Sequence, residues 1–252
     1  MDRQATNPLR LPARVSVVGA GRLGTALAGA LSAAGVEAFG PTGRDEPVAR
    51  ADAVLLCVPD AEIAAAASAA DGAAPLIGHC SGATPIAGLG PGAFGLHPLQ
   101  TFAGGEGPDR FRGAGCAVAG ATPEALAAAA ALARALGMHP FEIEDSGRAA
   151  YHAAASIASN FLVTLEGAAE RVATGAGLDP ADARALLAPL VRSTVENWAA
   201  QGPERALTGP IARGDDATVE RQREAIADAA PEFLALFDTL AERTRLLAAV
   251  TA

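Results

Sequence analysis

The chain has 252 residues, half of them apolar, which is enough for one large domain or two ordinary ones with a filled hydrophobic core. Its formal net charge is −9, and its 19 basic residues are all Arg and lie scattered along the chain, which argues against a nucleic-acid partner. The chain has no Lys, and this excludes Schiff-base chemistry and a Lys-containing phosphate loop.

The apolar stretches are too short for a membrane protein. They are rich in Ala and are interrupted by Gly, Pro or charged residues before the roughly 20 residues that a membrane span needs. The segment MDRQATNPLR has no apolar signal core, so we expect a cytoplasmic protein without a membrane partner. Three Cys, at positions 57, 80 and 116, lie in short apolar runs and are expected to be reduced core thiols, with no metal site.

After a lead-in of about a dozen residues, a series of short apolar runs predicts buried β-strands. The predicted strands span 15–20, 36–40, 53–58, 74–80, 93–98, 115–120 and 139–144. Because helices or short loops connect runs that are apolar on both faces, the pattern predicts a Rossmann-type α/β fold with a doubly wound, mostly parallel sheet. Thr122 and Pro123 are expected at the N-cap and first position of the helix before the last strand.

The strand pattern ends near residue 146, and only helices are predicted after it. The expected helices span 147–176, 180–200, 216–228 and 231–250. Asp179 and Pro180 are expected to open the second of them. The sequence therefore predicts two domains, an α/β domain over 1–146 and a smaller all-α domain over 147–252, joined directly by a long helix.

The motif GAGRLG, which follows the first strand and opens a helix, is the strongest functional signal. Gly19 would allow the tight turn, Gly21 would let a pyrophosphate approach the backbone, and Gly24 would let the helix pack against the strand. Arg22 and Leu23 lie between these glycines and are expected to contact the same ligand. The alternative is that these are only turn glycines, but the strand before and the helix after favour a dinucleotide site.

The end of the second strand indicates the type of dinucleotide. An NAD site usually has an acidic residue there for the ribose 2′-OH, whereas an NADP site has an Arg for the 2′-phosphate. Here Thr42 and Arg44 are expected in the loop, which favours NADP, although Asp45 and Glu46 follow and leave NAD open. A methyltransferase is disfavoured because a helical domain follows the sheet.

Two later strand ends should line the same crevice, since ligands of such sheets bind beyond the C-terminal ends of the strands. Val58, Pro59 and Asp60 follow the third predicted strand, and Ser81 and Gly82 follow the fourth. We predict that Val58, Pro59, Ser81 and Gly82 contact the cofactor, with the last two at the nicotinamide end. The alternative is that Pro59 and Gly82 merely turn the chain.

Three further segments are polar where a fold alone does not require it, and they are expected on the substrate side. HPLQTF supplies His97 and Gln100, and the loop LTGPIARGD supplies Thr208, Arg213 and Asp215. On a regular helix, YHAAASIASN would place His152, Ser156, Ser159 and Asn160 in one polar stripe among Ala residues. The stripe suits the wall of a cleft, or a helix packed through satisfied hydrogen bonds.

The order GAGRLG, VPD, HCSGA, HPLQTF, YHAAASIASN and LTGPIARGD resembles a bacterial group that joins a Rossmann-like domain to a small helical domain of unknown function. This group belongs to the superfamily of 6-phosphogluconate dehydrogenase, prephenate dehydrogenase, pyrroline-5-carboxylate reductase and ketopantoate reductase. Some members are regarded as an alternative type of ketopantoate reductase, an enzyme of pantothenate biosynthesis. The resemblance covers roughly residues 13 to 250, and it implies NADPH, a small 2-keto acid substrate and a dimer.

One feature departs from the wider superfamily. Ketopantoate reductases of the common type place a Lys four residues before an Asn on this helix, and the corresponding pair here is Ser156 and Asn160. Either His152 supplies the proton, or the substrate needs no Lys, as with an imine that arrives protonated. We predict His152 as proton donor, because an unperturbed imidazole titrates near neutrality, and Asn160 as a contact of the substrate oxygen, aided by Asp215 or Thr208.

The leading prediction is therefore an NADPH-dependent reductase of a small keto acid. The substrate that we expect before other keto acids is 2-dehydropantoate (ketopantoate). An imine reductase of the pyrroline-5-carboxylate kind and a regulatory NADP(H)-binding protein without chemistry are the alternatives. The helical domain has more apolar residues than four helices readily bury, which predicts a homodimer. These residues are Phe161, Leu162, Leu165, Leu186, Leu187, Leu190, Trp198, Phe233 and Leu236.

Overall fold

The structure, a computed structural model, describes residues 11–250, so the predicted lead-in lies almost entirely outside the described residues. The strands are β1 (Arg14–Val18), β2 (Glu37–Thr42), β3 (Ala53–Leu56), β4 (Leu76–His79), β5 (Ala93–Pro98), β6 (Gly115–Gly120) and β7 (His139–Glu142). The helices are α1 (Arg22–Ala33), α2 (Ile63–Ala69), α3 (Pro123–Ala135), α4 (Arg148–Ser156), α5 (Leu162–Gly175), α6 (Pro180–Gln201), α7 (Pro203–Ala206), α8 (Asp216–Ala229) and α9 (Leu234–Ala249). Each predicted strand is confirmed, with small shifts at some of the strand ends.

The strands of residues 11–250 form one sheet in the order β2-β1-β3-β4-β5-β6-β7. Strands β1 to β5 are parallel, β5 and β6 are antiparallel, and β6 and β7 are parallel again. The predicted mostly parallel sheet is therefore confirmed. Because β2 and β3 lie on opposite sides of β1, a crevice opens at the C-terminal ends of β1 and β3, where ligands of such sheets bind.

The hydrophobic core of the α/β part of the chain lies on both faces of the sheet. Val15 and Val17 of β1 and Leu55 of β3 are fully buried, as expected of strands that are apolar without alternation. Helix α1 covers one face with Leu27 and Leu31, which are also fully buried. This packing holds the ends of β1 and β3 in place.

Two helix starts agree with the predicted caps. The Thr122 hydroxyl accepts a hydrogen bond from the Ala125 N–H at 3.2 Å, with Pro123 in the first position of α3. The Asp179 carboxylate accepts from the Ala181 N–H at 2.9 Å at the start of α6. Both caps satisfy N–H groups that a helix leaves unpaired.

By its contacts, the chain divides into two compact units between Ser159 and Asn160. The sequence predicted the boundary between 146 and 147. The two divisions differ because α4 is bonded to the sheet unit, through Arg148 to the loop after β4 and through Tyr151 to β5. The second unit is all helical, and in it the Arg223 guanidinium of α8 donates to the Asp238 carboxylate of α9 at 2.8 Å.

The predicted continuous helix over 147–176 consists of α4 and α5 joined by a π-helical turn, Ile157–Phe161. A π turn has i→i+5 hydrogen bonds, so residues beyond it leave the α-helical spacing. The predicted stripe of His152, Ser156, Ser159 and Asn160 assumed that spacing throughout. It is therefore wrong beyond Ser156.

No helix within residues 11–250 is long and apolar enough to cross a membrane. The three Cys are free, with Cys80 and Cys116 buried and Cys57 half-buried. The Sγ atoms of Cys57 and Cys80 lie 3.6 Å apart. Nowhere in residues 11–250 do three or more His, Cys, Asp or Glu side chains form a group that could hold a metal ion.

Candidate functional site

Glycines shape the turn between β1 and α1. Gly19 has a φ of +107°, and a Cβ placed there would lie 2.3 Å from the Cys57 carbonyl oxygen. A Cβ at Gly24 would lie 1.9 Å from the Gly19 carbonyl oxygen, so α1 packs directly on the turn. Both positions need Gly for the fold itself.

Gly21 has a different environment. It is the N-cap of α1, and a Cβ placed there would have no neighbour within 4 Å. The first turn of α1 carries no acidic residue, and no side chain caps the N–H groups at its start. Such a helix N-terminus fits a diphosphate, which binds N–H groups and the positive end of the helix dipole.

One cavity, of about 430 Å³, lies where β1, β2 and β3 end. Six of the predicted cofactor residues line it: Gly19, Gly21, Thr42, Arg44, Val58 and Pro59. Thr42 is the last residue of β2, and its carbonyl accepts from the Gly19 N–H at 2.8 Å, so it lies in the strand and not in the loop as predicted.

Arg44 lies at the predicted place, but it is already paired. Its guanidinium donates to Glu62 Oε1 at 2.8 Å, and its side chain is 75% exposed. Asp45 and Glu46 line the same cavity. An anion that binds Arg44 therefore competes with Glu62, whose interaction with Arg44 is weakened by solvent.

A second cavity, of about 690 Å³, lies at the ends of β3, β4 and β5 and against α4. Both cavities are lined by Gly21, Cys57, Val58 and Pro59, so they meet at the glycine turn. The structure brings these predicted residues together around the second cavity: Gly21, Arg22, Leu23, Val58, Pro59, Ser81, Gly82, His97 and His152.

The loop after β4 is held by Asp60 and Ser81. The Ser81 hydroxyl donates to Asp60 Oδ2 at 2.8 Å and accepts from the N–H groups of Ala83 and Thr84. The Thr84 hydroxyl also donates to Asp60 Oδ2, at 3.0 Å. Ser81 lines the cavity, but its hydroxyl already donates its proton to Asp60. Its predicted contact with a cofactor is therefore supported only by its position in the cavity wall.

Two buried basic side chains, His79 and Arg148, form hydrogen bonds with the backbone of this loop. His79 is fully buried; its Nδ1 accepts from the Ser81 N–H at 3.2 Å, so its Nε2–H faces the Pro85 carbonyl at 3.4 Å. Burial, aided by the charge of Arg148, lowers the pKa of His79. Arg148 donates to Asp145 Oδ1 at 2.8 Å and to the Ser81 carbonyl at 3.3 Å.

His97, Tyr151 and His152 form a cluster beside Gly82. The Tyr151 hydroxyl lies 2.7 Å from His97 Nδ1, and the His97 and His152 ring centroids are 6.1 Å apart. A Cβ at Gly82 would lie 2.8 Å from His152 Cδ2 and 2.9 Å from His97 Nε2. Gly82 therefore leaves room for both imidazoles at the cavity wall.

Other predicted residues lie elsewhere. Gln100 is exposed, and its side chain accepts from the Thr101 N–H at 2.8 Å; it is not among the residues that line the second cavity. Ser156 is the half-buried last residue of α4, and Asn160 is exposed in the π-helical turn. The roles of these residues stay predictions.

The second unit contains the predicted loop residues. Thr208 and Arg213 are exposed. Asp215 is the N-cap of α8, where it accepts from the Thr218 N–H at 3.0 Å and from the Thr218 hydroxyl at 2.7 Å. This cap accounts for Asp215 without a catalytic role, and its role in catalysis stays a prediction.

Asp60, the last residue of the VPD segment, was expected at this edge of the crevice, and it lines the second cavity. Sequence reasoning missed the contacts of two other residues, Tyr151 and Arg148. Tyr151 carried no signal, because its contact depends on how α4 meets β5. No pattern in the sequence indicated that Arg148 is buried, yet its side chain is 1% exposed and bound to Asp145.

The fold is that of a Rossmann-type α/β domain followed by an all-helical region, as predicted. Residues 114–244, more than half of the chain, match a family described as a domain of unknown function, DUF2520. The chain belongs to this family. To this extent the resemblance to a group with a helical domain of unknown function is confirmed. No curated protein matches the chain.

Solved structures share the fold over nearly the whole chain. A protein from Bacteroides fragilis, named as a candidate NADP oxidoreductase, is 21% identical with a TM-score of 0.77 and covers 92% of this chain and 98% of its own. A protein from Thermotoga maritima is 25% identical with a TM-score of 0.75 and coverages of 94% and 98%. Pyrroline carboxylate reductase from Plasmodium falciparum, solved with NADP bound, is 12% identical with a TM-score of 0.60 and coverages of 94% and 98%.

Proposed function

We propose that this protein is an NADP(H)-dependent reductase of a small molecule with a C=O or C=N bond. The observation that carries the proposal is the meeting of two cavities at Gly21, where the N-terminus of α1 is open. One cavity has Arg44 at its wall, and the other has His97 and His152. An extended dinucleotide could occupy both cavities, with its phosphorylated ribose near Arg44 and its nicotinamide near the two imidazoles. The names of the Bacteroides and Plasmodium proteins, which share the fold, add support.

The residues present fit this cofactor. Gly19, Gly21 and Arg22 would hold the diphosphate, Thr42 and Arg44 the phosphorylated ribose, and Val58, Pro59, Ser81 and Gly82 the nicotinamide end. When bound, the reduced nicotinamide supplies a hydride, which is one proton with two electrons, to the substrate carbon. The chain then has to deliver one proton to the substrate oxygen or nitrogen, and with no Lys present we assign this task to His152.

The first substrate to test is 2-dehydropantoate, which the family resemblance implies. Its reduction consumes one NADPH and one proton and yields pantoate and NADP⁺. Asn160, Ser156, Gln100, Thr208, Arg213 and Asp215 remain predicted contacts of this substrate.

A second candidate substrate is a cyclic imine of the pyrroline-5-carboxylate kind. Asp60 favours it, because this residue lines the second cavity and a carboxylate there would stabilise a protonated imine. Such a substrate brings its own proton and does not need His152. This difference makes the two candidates separable by mutation.

The test is a steady-state assay of NADPH consumption with 2-dehydropantoate, other branched keto acids and cyclic imines. Turnover of a keto acid supports the first candidate, and turnover of imines alone supports the second. Binding of NADPH without turnover of any of them would contradict a reductase and leave a regulatory NADP(H)-binding protein.

Two glycine variants make the cofactor site testable by titration. A methyl group has free space at Gly21, the N-cap of α1, and at Gly29, within α1, so neither Gly→Ala variant disturbs packing. Gly21→Ala fills the diphosphate cradle and should abolish NADPH binding. Gly29→Ala should bind NADPH like the original protein. Equal binding by both variants would place the cofactor elsewhere.

The cofactor type depends on Arg44. Arg44→Ala removes a charged contact to the 2′-phosphate worth about 1.5 to 3 kcal/mol, so NADPH should bind at least about tenfold more weakly, with NADH nearly unchanged. Glu62→Gln removes the carboxylate that competes for Arg44, so the affinity for NADPH should rise relative to that for NADH. Binding titrations of both variants check this. Equal losses for the two cofactors in Arg44→Ala would defeat the NADP assignment.

We also propose a homodimer that covers the apolar surface of the helical unit. Leu186, Leu190 and Trp198 follow one another on α6 at spacings of four and eight residues, and each has more than half of its surface exposed. Phe161 is similarly exposed. Burial against a second copy would remove this apolar surface from water. Light scattering at micromolar concentration should give twice the chain mass, and a monomer mass would count against the dimer.

A further inference from the structure

We propose that Tyr151 is a positioning residue that fixes the tautomer of His97, so that His97 directs its Nε2–H into the cavity as a hydrogen-bond donor for the substrate oxygen or nitrogen. The use of this donor rests on the proposed reductase function, whereas the tautomer itself does not.

The first step is the contact between the two rings. The Tyr151 hydroxyl lies 2.7 Å from His97 Nδ1, with the ring centroids 5.5 Å apart and the planes at 89°. Phe141 packs on the other side of Tyr151, with centroids 5.8 Å apart. Residues from β5, β7 and α4 therefore hold the phenol in one place against Nδ1.

The second step is the direction of the proton. Burial raises the pKa of Tyr151 to about 12, so the phenol carries its proton at neutral pH. Among the described residues, His97 Nδ1 is the only hydrogen-bond partner of the Tyr151 hydroxyl. A buried donor is stabilised when it is paired, so the phenol donates to Nδ1, and the imidazole proton has to lie on Nε2.

The third step is the environment of Nε2. This nitrogen has no hydrogen-bond partner within residues 11–250. It is not a buried atom, so solvent or a ligand can reach it. His97 lines the second cavity, and Gly82 supplies no side chain in front of Nε2. The N–H is thus free for a ligand in the cavity.

The last step is the charge of the ring. Burial lowers the pKa of His97 to about 4, and the charges of His152, Arg148 and His79 act in the same direction, while Asp60 acts against them. His97 is therefore neutral at neutral pH and donates a hydrogen bond without giving up its proton. This leaves proton delivery to His152, so the two imidazoles have different tasks.

The experiment is ¹⁵N NMR of the imidazole nitrogens in the full chain, which has only four His. We expect His97 to show a protonated Nε2 and an unprotonated Nδ1 at neutral pH. In Tyr151→Phe this single tautomer should be lost to a mixture. His79, whose tautomer depends on Ser81 and Pro85, should keep its signals and reports that the variant is folded.

A protonated Nδ1 on His97 in the original protein would overturn the proposal without any variant. An unchanged His97 tautomer in folded Tyr151→Phe would overturn the role of Tyr151. In the reductase assay, the loss of one oriented hydrogen bond should lower kcat by about two- to tenfold with NADPH affinity unchanged. If the tautomer is as stated but no substrate is reduced, the assignment of Tyr151 holds and the reductase function fails.

Discussion

The Asp145→Ala variant should lose about 3–5 kcal/mol of unfolding free energy, because it leaves a buried guanidinium without its carboxylate. Arg148 is 1% exposed, and its remaining hydrogen bond reaches the Ser81 carbonyl at 3.3 Å. Its NH2 group has no hydrogen-bond partner in the described part of the chain. Asp145 also accepts from the N–H groups of Ile86 and Ala87, which the variant leaves unpaired. Urea denaturation measures the loss.

Asp109→Ala is a matched control. Asp109 pairs with Arg112 at the same spacing in sequence, at 2.6 Å, but the two side chains are 88% and 73% exposed. Exposed pairs contribute about 0–1 kcal/mol, so this variant should be nearly as stable as the original protein. Equal losses in the two variants would contradict the importance of burial.

The effect of Asp145 should also depend on pH. Burial acts to raise the pKa of Asp145, but hydrogen bonds from Ile86, Arg148 and Ala87 outweigh it and the pKa is lowered. A carboxyl with a lowered pKa in the folded state stabilises the protein above its ordinary pKa and loses this contribution as the pH falls through the lowered value. The stability difference between the original protein and Asp145→Ala should therefore shrink in acid.

His152→Ala should lower kcat at least about a hundredfold on a keto acid, since general acid catalysis contributes about 10² to 10⁴ in rate. The exposed imidazole lines the second cavity, beside Gly82 and 6.1 Å from the His97 ring. NADPH affinity should be unchanged. The measurement is steady-state kinetics together with a cofactor titration.

His139→Ala is the control for His152, because His139 is exposed on β7 and does not line the second cavity. Its kcat should match the original protein. A loss below about fivefold in His152→Ala, with Asn160→Ala equally mild, would move the proton donor elsewhere. It would favour a substrate that arrives already protonated.

Much of the α/β fold and of the cofactor site was predictable from local patterns. Apolar runs without alternation predicted the strands, and small polar residues before Pro predicted the starts of α3 and α6. The GAGRLG motif predicted the roles of Gly19 and Gly24, because such a motif requires a tight turn and close packing of the helix at these glycines. These features depend on residues that are close in sequence.

The parts that were missed depend on long-range packing. A π-helical turn over Ile157–Phe161 has no pattern in the residue types that separates it from a continuous helix. The burial of Arg148 arises because Asp145 is adjacent to it and the loop after β4 lies above it. The contact of Tyr151 with His97 joins residues 54 positions apart. None of these can be derived from periodicity.

The reversal between β5 and β6 determines where α4 leads. Because β7 runs against β5, the chain leaves the sheet at the end away from the crevice, where Asp145 bonds Ile86 and Ala87 ahead of β5. Helix α4 then runs back until Tyr151 meets His97 near the far end of β5. One residue inserted between Arg148 and Tyr151 would turn the phenol by about 100° around the helix axis. The contact between Tyr151 and His97 therefore depends on the length of this segment as well as on its residue types.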